Sequence, residues 1–290
     1  MTRVEDLVGP VELGSRAVRA PSIGTGGPAD GGGRSPRRRR DRAFWLVGAI
    51  LPLALLALWQ LISATGAVPA YRLPSPASVV QAALDMAASG VLGQYVAISV
   101  QRVLIGFASG ATLGLTLGVL VGLSRWGASL LAPTLGGLRA VPSLAWLPLL
   151  ILYLGINEDQ KVVLVAIGAL FPVYTTVAGA LRHVNPHLVE LGEAYGVTRW
   201  ELLTQIQLPS ILPSVVSGLR LALAQAWLFL VAAELIGASM GLGFLLVDSQ
   251  NNGRIDRMFL AILLLGILGK TTDALVGLLE RQLLRRWGSA

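Results

Sequence analysis

The chain has 290 residues, 54% of them hydrophobic and only 13% charged, with a mean hydropathy of +0.67, whereas soluble domains carry roughly a quarter charged residues; lipid rather than water is its main solvent. It has no cysteine and two histidines, which excludes a disulfide framework, a thiolate metal site and a histidine-rich metal cluster. The net charge of +7 does not indicate nucleic acid, because nine of the 23 basic residues lie in the first 42 positions and the aromatic residues lie within apolar segments instead of alternating with basic ones.

Residues 1–42 are rich in Gly, Pro, Ser and Arg without apolar periodicity, and are expected to form a disordered, basic cytoplasmic tail. Arg34, Arg37 to Arg40 and Arg42 abut an uncharged run from Ala43 to Tyr71. That is a positive-inside signal with an attraction for anionic headgroups. A twin-arginine export signal would have a shorter apolar stretch, and further apolar runs follow, so 43–64 is predicted as an uncleaved first span. The remaining predicted spans are 103–124, 140–157 (interrupted by Pro142 and Pro148), 162–182, 214–237 and 258–279. The expectation is an all-α, polytopic protein of about six transmembrane helices, with a membrane domain over 43–290.

Counting basic flanks puts both termini in the cytoplasm. Arg125, Arg139, Arg182, Arg199, Arg281, Arg285 and Arg286 then fall inside, and Arg72, Lys161, Arg254 and Arg257 outside. In the second span Gly106, Gly110, Gly114, Gly118 and Gly122 recur every fourth residue. Such a seam lets helix backbones approach closely, and in lipid it is packing of this kind that holds helices together. Glu234, Lys270 and Asp273 fall within predicted spans, where charge is costly; they are candidates for lining a water-filled path or for pairing. Lys270 and Asp273 are three apart and can meet. Arg102 and Arg220, near predicted helix ends, are expected to snorkel to headgroups.

Between the fourth and fifth spans lies a polar but patterned segment, 186–209. Trp200, Leu203 and Ile206 are predicted to share a helical face, Gly196 to allow a left-handed turn, and Pro209 with Pro213 to end the helix before the next span. Glu190, Gly196, Ile206, Leu208 and Pro209 stand at the spacing of the cytoplasmic signature loop that this segment resembles, that of ABC importer permeases. Leu191 and Gly192 replace two alanines of that pattern. The resemblance covers nearly all of the chain after the tail and is closest to the nitrate, sulfonate and taurine branch. It is carried also by Leu73–Pro76, Gln101–Phe107, Val141–Pro148, Phe171–Tyr174, Gly218–Leu223 and Ala233–Gly237.

The resemblance implies a type I ABC importer permease-like bundle in the bacterial inner (cytoplasmic) membrane. It implies a second permease subunit as a homodimeric partner, two ATP-binding subunits that hold ATP and Mg, and an extracytoplasmic solute-binding protein. The chain itself would need no cofactor and catalyse nothing. Glu190, Gly192, Gly196, Trp200, Ile206, Leu208 and Pro209 would form the ATPase-coupling loop. The substrate would be a small anion, an aliphatic sulfonate or taurine first, nitrate or bicarbonate next, then pyrimidine-like vitamin precursors. A secondary transporter would show inverted repeats, and a membrane enzyme a catalytic constellation; neither pattern stands out. Gly269-Lys270-Thr271 lacks the glycine five residues earlier that a phosphate loop needs, since Leu264 is there. His183 and His187 have Pro186 between them and no evident third ligand.

Overall fold

The computed structural model describes the backbone of residues 37–66 and 68–287, with side chains over 50–66 and 68–282. The expected tail therefore lies outside the described residues as far as position 36, while 37–42 are helical. Arginine is a good helix former, and its run is continuous with the apolar segment behind it. The chain divides into two units, Met1–Pro52 and Leu53–Ala290. In the first, the described residues are the opening turns of α1 (Arg37–Ala64).

The second unit is all helix and connecting turn among the described residues. After α1 come α2 (Pro76–Ala88), α3 (Val91–Leu123), α4 (Arg125–Ala140), a 3-10 turn (Ser143–Trp146), α5 (Leu147–Leu154), α6 (Glu158–Arg182), α7 (Pro186–Ala194), α8 (Arg199–Gly237), α9 (Leu242–Asn251) and α10 (Ile255–Trp287). Four of these, α3, α6, α8 and α10, are each long and apolar enough to cross a membrane; α4 with the 3-10 turn and α5 forms a fifth if that bent pair counts as one span. For α1, the apolar stretch with described side chains is Ile50–Ala64.

The centre is α3 against α6 against α8. The five glycines of α3 face α6. A Cβ at Gly106 would lie 2.6 Å from Val165 Cβ, at Gly114 2.9 Å from Val173 Cβ, at Gly118 2.8 Å from Val177 Cβ and at Gly122 2.8 Å from Leu181 Cβ. At Gly110 it would lie 2.9 Å from Ala166 Cα. Only hydrogen fits along this seam, so the two backbones touch nearly throughout. α6 also packs on α8, in a buried cluster that joins Ala111 of α3, Ala169, Val173 and Val177 of α6, and Ile211 and Ala222 of α8.

A second cluster joins α2, α9 and α10 through Val79, Met86, Leu242, Leu245, Leu260 and Ala261. The end of α1 is fastened there: Trp59 Nε1 donates to Pro74 O at 2.9 Å, and its ring packs on Phe259 with centroids 5.7 Å apart. α2 begins at Ser75, whose hydroxyl accepts from Ser78 N–H, with Pro76 in the first turn.

Three boundaries differ from the sequence reading. α3 starts at Val91, not 103, because 91–101 is itself uncharged and Arg102 lies inside the helix. The predicted third span, 140–157, covers only the second member of a bent pair, Arg125–Ala140 with Ser143–Leu154, which meet at 87°. Pro142 holds Val141 extended (φ −74°, ψ 123°) and separates α4 from the turn. Consequently Arg139, counted above with the cytoplasmic flanks, shares a cavity with Gly168, Phe171, Pro172 and Thr175 of mid-α6. Finally, the helix that follows Gly196 does not end at the prolines. It continues from Arg199 to Gly237 through a π segment, Leu202–Gln207, where Leu208 N–H bonds Leu203 O. The wider register accommodates Pro209, which has no N–H to place.

Candidate functional site

The segment between α6 and α8 folds on local signals. Asn185 Oδ1 accepts from His187 N–H at 3.0 Å and Pro186 occupies the first turn of α7. α7 closes with two bonds, Gly196 N–H to Glu193 O at 3.0 Å and Val197 N–H to Gly192 O at 3.0 Å, around Gly196 at φ +74°. This is the glycine-terminated reversal expected where a side chain would strain the backbone. Thr198 then opens α8 with a reciprocal cap, its hydroxyl accepting from Glu201 N–H while the Glu201 carboxylate accepts from Thr198 N–H.

Gly192 is buried, and a Cβ there would lie 2.7 Å from Leu202 Cδ1 and 3.0 Å from Ile206 Cδ1. The departure from the alanine pattern thus lets α7 close onto the π segment. The inward pair is Leu202 and Ile206, four apart, with Leu202 buried; Trp200, predicted to share a face with Leu203 and Ile206, is 72% exposed. Leu191 and Tyr195 are exposed as well, as is Glu190, whose carboxylate lies 3.6 Å from His187 Nδ1. Leu208 and Pro209 are half-buried where α8 leaves the π segment. His183 Nδ1 sits 2.7 Å from Gly179 O, and no group of three metal-ligating side chains occurs among the described residues.

At the other end of α6 and α8 lies a charge network that the sequence reading did not assemble. Arg102 of α3 is 4% exposed. Its Nε and Nη2 donate to Glu158 Oε2 and Oε1 at 2.6 and 2.7 Å, and its Nη1 donates to Glu234 Oε1 and to Met240 O, both at 2.7 Å. Glu234, fully buried in α8, also accepts from Ser99 Oγ at 2.8 Å and from Gly243 N–H at 2.7 Å. Lys161 Nζ lies 3.1 Å from Glu158 Oε1. A Cβ at Gly241, φ +117°, would meet Glu234 Oε1 and stand 2.8 Å from Arg102 Nη1, so glycine is required there.

Arg102 therefore pairs inside the bundle and does not snorkel. Two cations and two carboxylates balance, and each carboxylate is held by hydrogen bonds as well as charge, the arrangement that makes burial tolerable. The network fastens α3, α6, α8 and α9 beside a cleft of ≈ 760 Å³ bordered by Gln101, Leu154, Ser239 and Met240. The sequence did hold the signal: an arginine within an apolar helix needs an acid, and Glu234 is the lone acid of its span.

Glu234 does not meet Lys270 and Asp273. Those two lie 3.7 Å apart, but Asp273 is held more closely by Arg220, Nη2 to Oδ1 at 2.9 Å, and Arg220 Nη1 reaches Glu280 Oε2 at 3.1 Å. Arg220 is thus an α8–α10 link, not a snorkelling side chain.

Comparison with known proteins agrees with this architecture. Residues 110–285 match the family described as binding-protein-dependent transport system inner membrane component. The chain is 44% identical over 240 residues to the putative aliphatic sulfonates transport permease protein SsuC of Escherichia coli (strain K12), covering 83% of this chain and 91% of that one. It is 39% identical to the putative aliphatic sulfonates transport permease protein SsuC of Bacillus subtilis (strain 168), covering 85% and 89%. The nitrate import permease protein NrtB of Leptolyngbya laminosa is 31% identical, covering 84% and 94%. Among solved structures, an inward-facing MetNI methionine ABC transporter chain superposes with a TM-score of 0.57 at 23% identity, covering 68% of this chain and 96% of that one.

Proposed function

The chain belongs to the family of binding-protein-dependent transport system inner membrane components, and from that premise we propose that it carries a small aliphatic sulfonate across the bacterial inner membrane under the drive of a separate ATPase. It is a membrane-spanning, non-catalytic subunit of an ABC importer. The partners follow from that class: a second copy of the permease, two ATP-binding subunits that bind ATP and Mg, and a solute-binding protein on the outer side. Both termini lie in the cytoplasm.

The observation that carries the coupling role is the α7–π unit. Its inner contacts, Gly192 on Leu202 and Ile206, and its caps at Asn185, Gly196 and Thr198 make it stiff. Outside, it leaves Leu191, Tyr195 and Trp200 uncovered, an apolar surface on an otherwise polar segment that suits a protein partner. Because the π segment runs without a break into α8, a push on α7 moves α8 and, through the α6 contact, the glycine seam. A lever of this kind transmits a domain motion that a loose loop would absorb. Glu190, Gly196, Trp200, Ile206, Leu208 and Pro209 belong to that lever.

Sulfonate is favoured over nitrate and bicarbonate by the two SsuC relatives at 44% and 39% identity against 31% for NrtB. The test is reconstitution of the chain with the ATPase and binding protein that copurify with it, followed by ATP-dependent uptake of ethanesulfonate, nitrate and bicarbonate. Sulfonate uptake alone is expected. Uptake of nitrate or bicarbonate without sulfonate would overturn the substrate, and uptake without ATP would overturn the importer mechanism.

A further inference from the structure

Halfway along α6 and α8 an open cavity of ≈ 290 Å³ lies between the bend after α4 and the two long helices. It is at the small end of ligand sites, which start near about 300 Å³. Its polar lining is Arg139 and Ser143 from the two sides of the bend, Thr175 from α6 and Gln225 from α8. Its apolar lining includes Phe171, Leu221 and Phe229.

Arg139 is the one charged group in that lining. Among the described residues no carboxylate lies within salt-bridge distance of it, in contrast to Arg102 and Arg220, whose charges are fully engaged. The side chains of Ser143 and Gln225 likewise have no hydrogen-bond partner among the described residues, while the Thr175 hydroxyl is turned to Phe171 O at 2.9 Å. Arg139 is itself exposed, so an anion entering the cavity from its open side can reach the guanidinium. Around it stand an amide and a hydroxyl with spare donors, then a wall of two phenyl rings and a leucine.

We propose that Arg139 is the anion-binding group of the translocation pathway, and that this cavity receives an amphipathic monoanion with its charged oxygens on Arg139, Ser143 and Gln225 and its short alkyl chain against Phe171, Leu221 and Phe229. The site rests on the sulfonate reading above and deepens it. An inorganic anion would satisfy the guanidinium but leave the apolar wall unused; an alkanesulfonate uses both. Selection would then occur twice, in the binding protein and again in the permease.

The experiment measures binding of methane-, ethane- and butanesulfonate to the purified permease–ATPase complex without binding protein, together with uptake in the reconstituted system. Affinity is expected to rise by about fourfold for each methylene the wall covers. Arg139→Gln should weaken binding of all three by at least about tenfold, as loss of a charged hydrogen-bond partner does, and uptake should fall in step. Arg139→Lys should recover part of the loss, which separates a lost charge from a misfolded chain. Gln225→Leu, which leaves the charge in place, should weaken binding severalfold. Undiminished sulfonate binding and uptake in Arg139→Gln would overturn the site while leaving the sulfonate importer intact. A wild-type complex that moves nitrate or bicarbonate but no sulfonate would overturn both.

Discussion

Replacing Gly110 with alanine adds one methyl group at the tightest point of the α3–α6 seam. The new Cβ would stand 2.9 Å from Ala166 Cα and C and closer still to the Ala166 carbonyl oxygen. Carbon atoms rest comfortably at about 3.5–4.0 Å, so the helices have to part by somewhat under about 1 Å, because the obstacle is backbone and has no rotamer to change. A gap of that size forfeits between a quarter and a half of each contact's dispersion energy, and it spreads to Gly106 and Gly114, which touch the same helix. Overpacking typically costs about 1–3 kcal/mol, and the backbone contact places Gly110→Ala at the upper end. At about 2 °C per kcal/mol for a chain of this size, its melting temperature followed by far-UV circular dichroism in detergent should fall by about 6 °C. Gly266→Ala is the control, since nothing lies within 4 Å of its added Cβ; it should melt with the wild type or slightly above. Equal melting of the two variants would refute the packed-seam reasoning.

Three other outcomes are expected. Glu234→Ala leaves the Arg102 Nη1 donor without its buried carboxylate, a loss of about 3–5 kcal/mol for a broken buried pair, so the yield of folded protein should collapse, whereas Glu234→Gln keeps an oxygen for Ser99 and Gly243 and should recover part of it; equal yields would contradict the network. Gly196→Val meets no atom within 4 Å, and its effect is backbone strain of about 1–2 kcal/mol at φ +74°. The variant should insert normally but lose uptake relative to ATP hydrolysis, and an unchanged ratio would argue against the lever. Thr198→Ala removes the cap at the start of α8, a local loss of about 1 kcal/mol, and should speed hydrogen exchange at the amides of 199–202 with little change elsewhere.

Much of this was legible from composition and spacing. The glycine seam shows in the four-residue repeat of 106 to 122, because only a helix puts that spacing on one face. In the segment 186–209 the turn at Gly196 shows in residue type, while the caps at Asn185 and at Thr198 with Glu201, equally local, emerge from the structure. What escaped needed three dimensions. Arg102 and Glu234 are 132 positions apart, and treating the arginine as a helix boundary hid both the true start of α3 at Val91 and the pair. The passage of α8 through Pro209 depends on a π turn that no residue preference announces. Arg139 sits in a basic flank by counting and beside mid-α6 by geometry, because Pro142 folds the chain back at an angle that hydropathy cannot express.

The central claim is that the α7–π unit lies in the cytosol and is gripped there by the ATPase. The chain has no cysteine, so Trp200→Cys, at an exposed position, gives a single reactive thiol. In inside-out membrane vesicles a membrane-impermeant maleimide should label it, in intact spheroplasts it should not, and an added ATPase subunit should shield it and crosslink to it. Labelling from the outer face, or free labelling with the ATPase bound, would contradict the account.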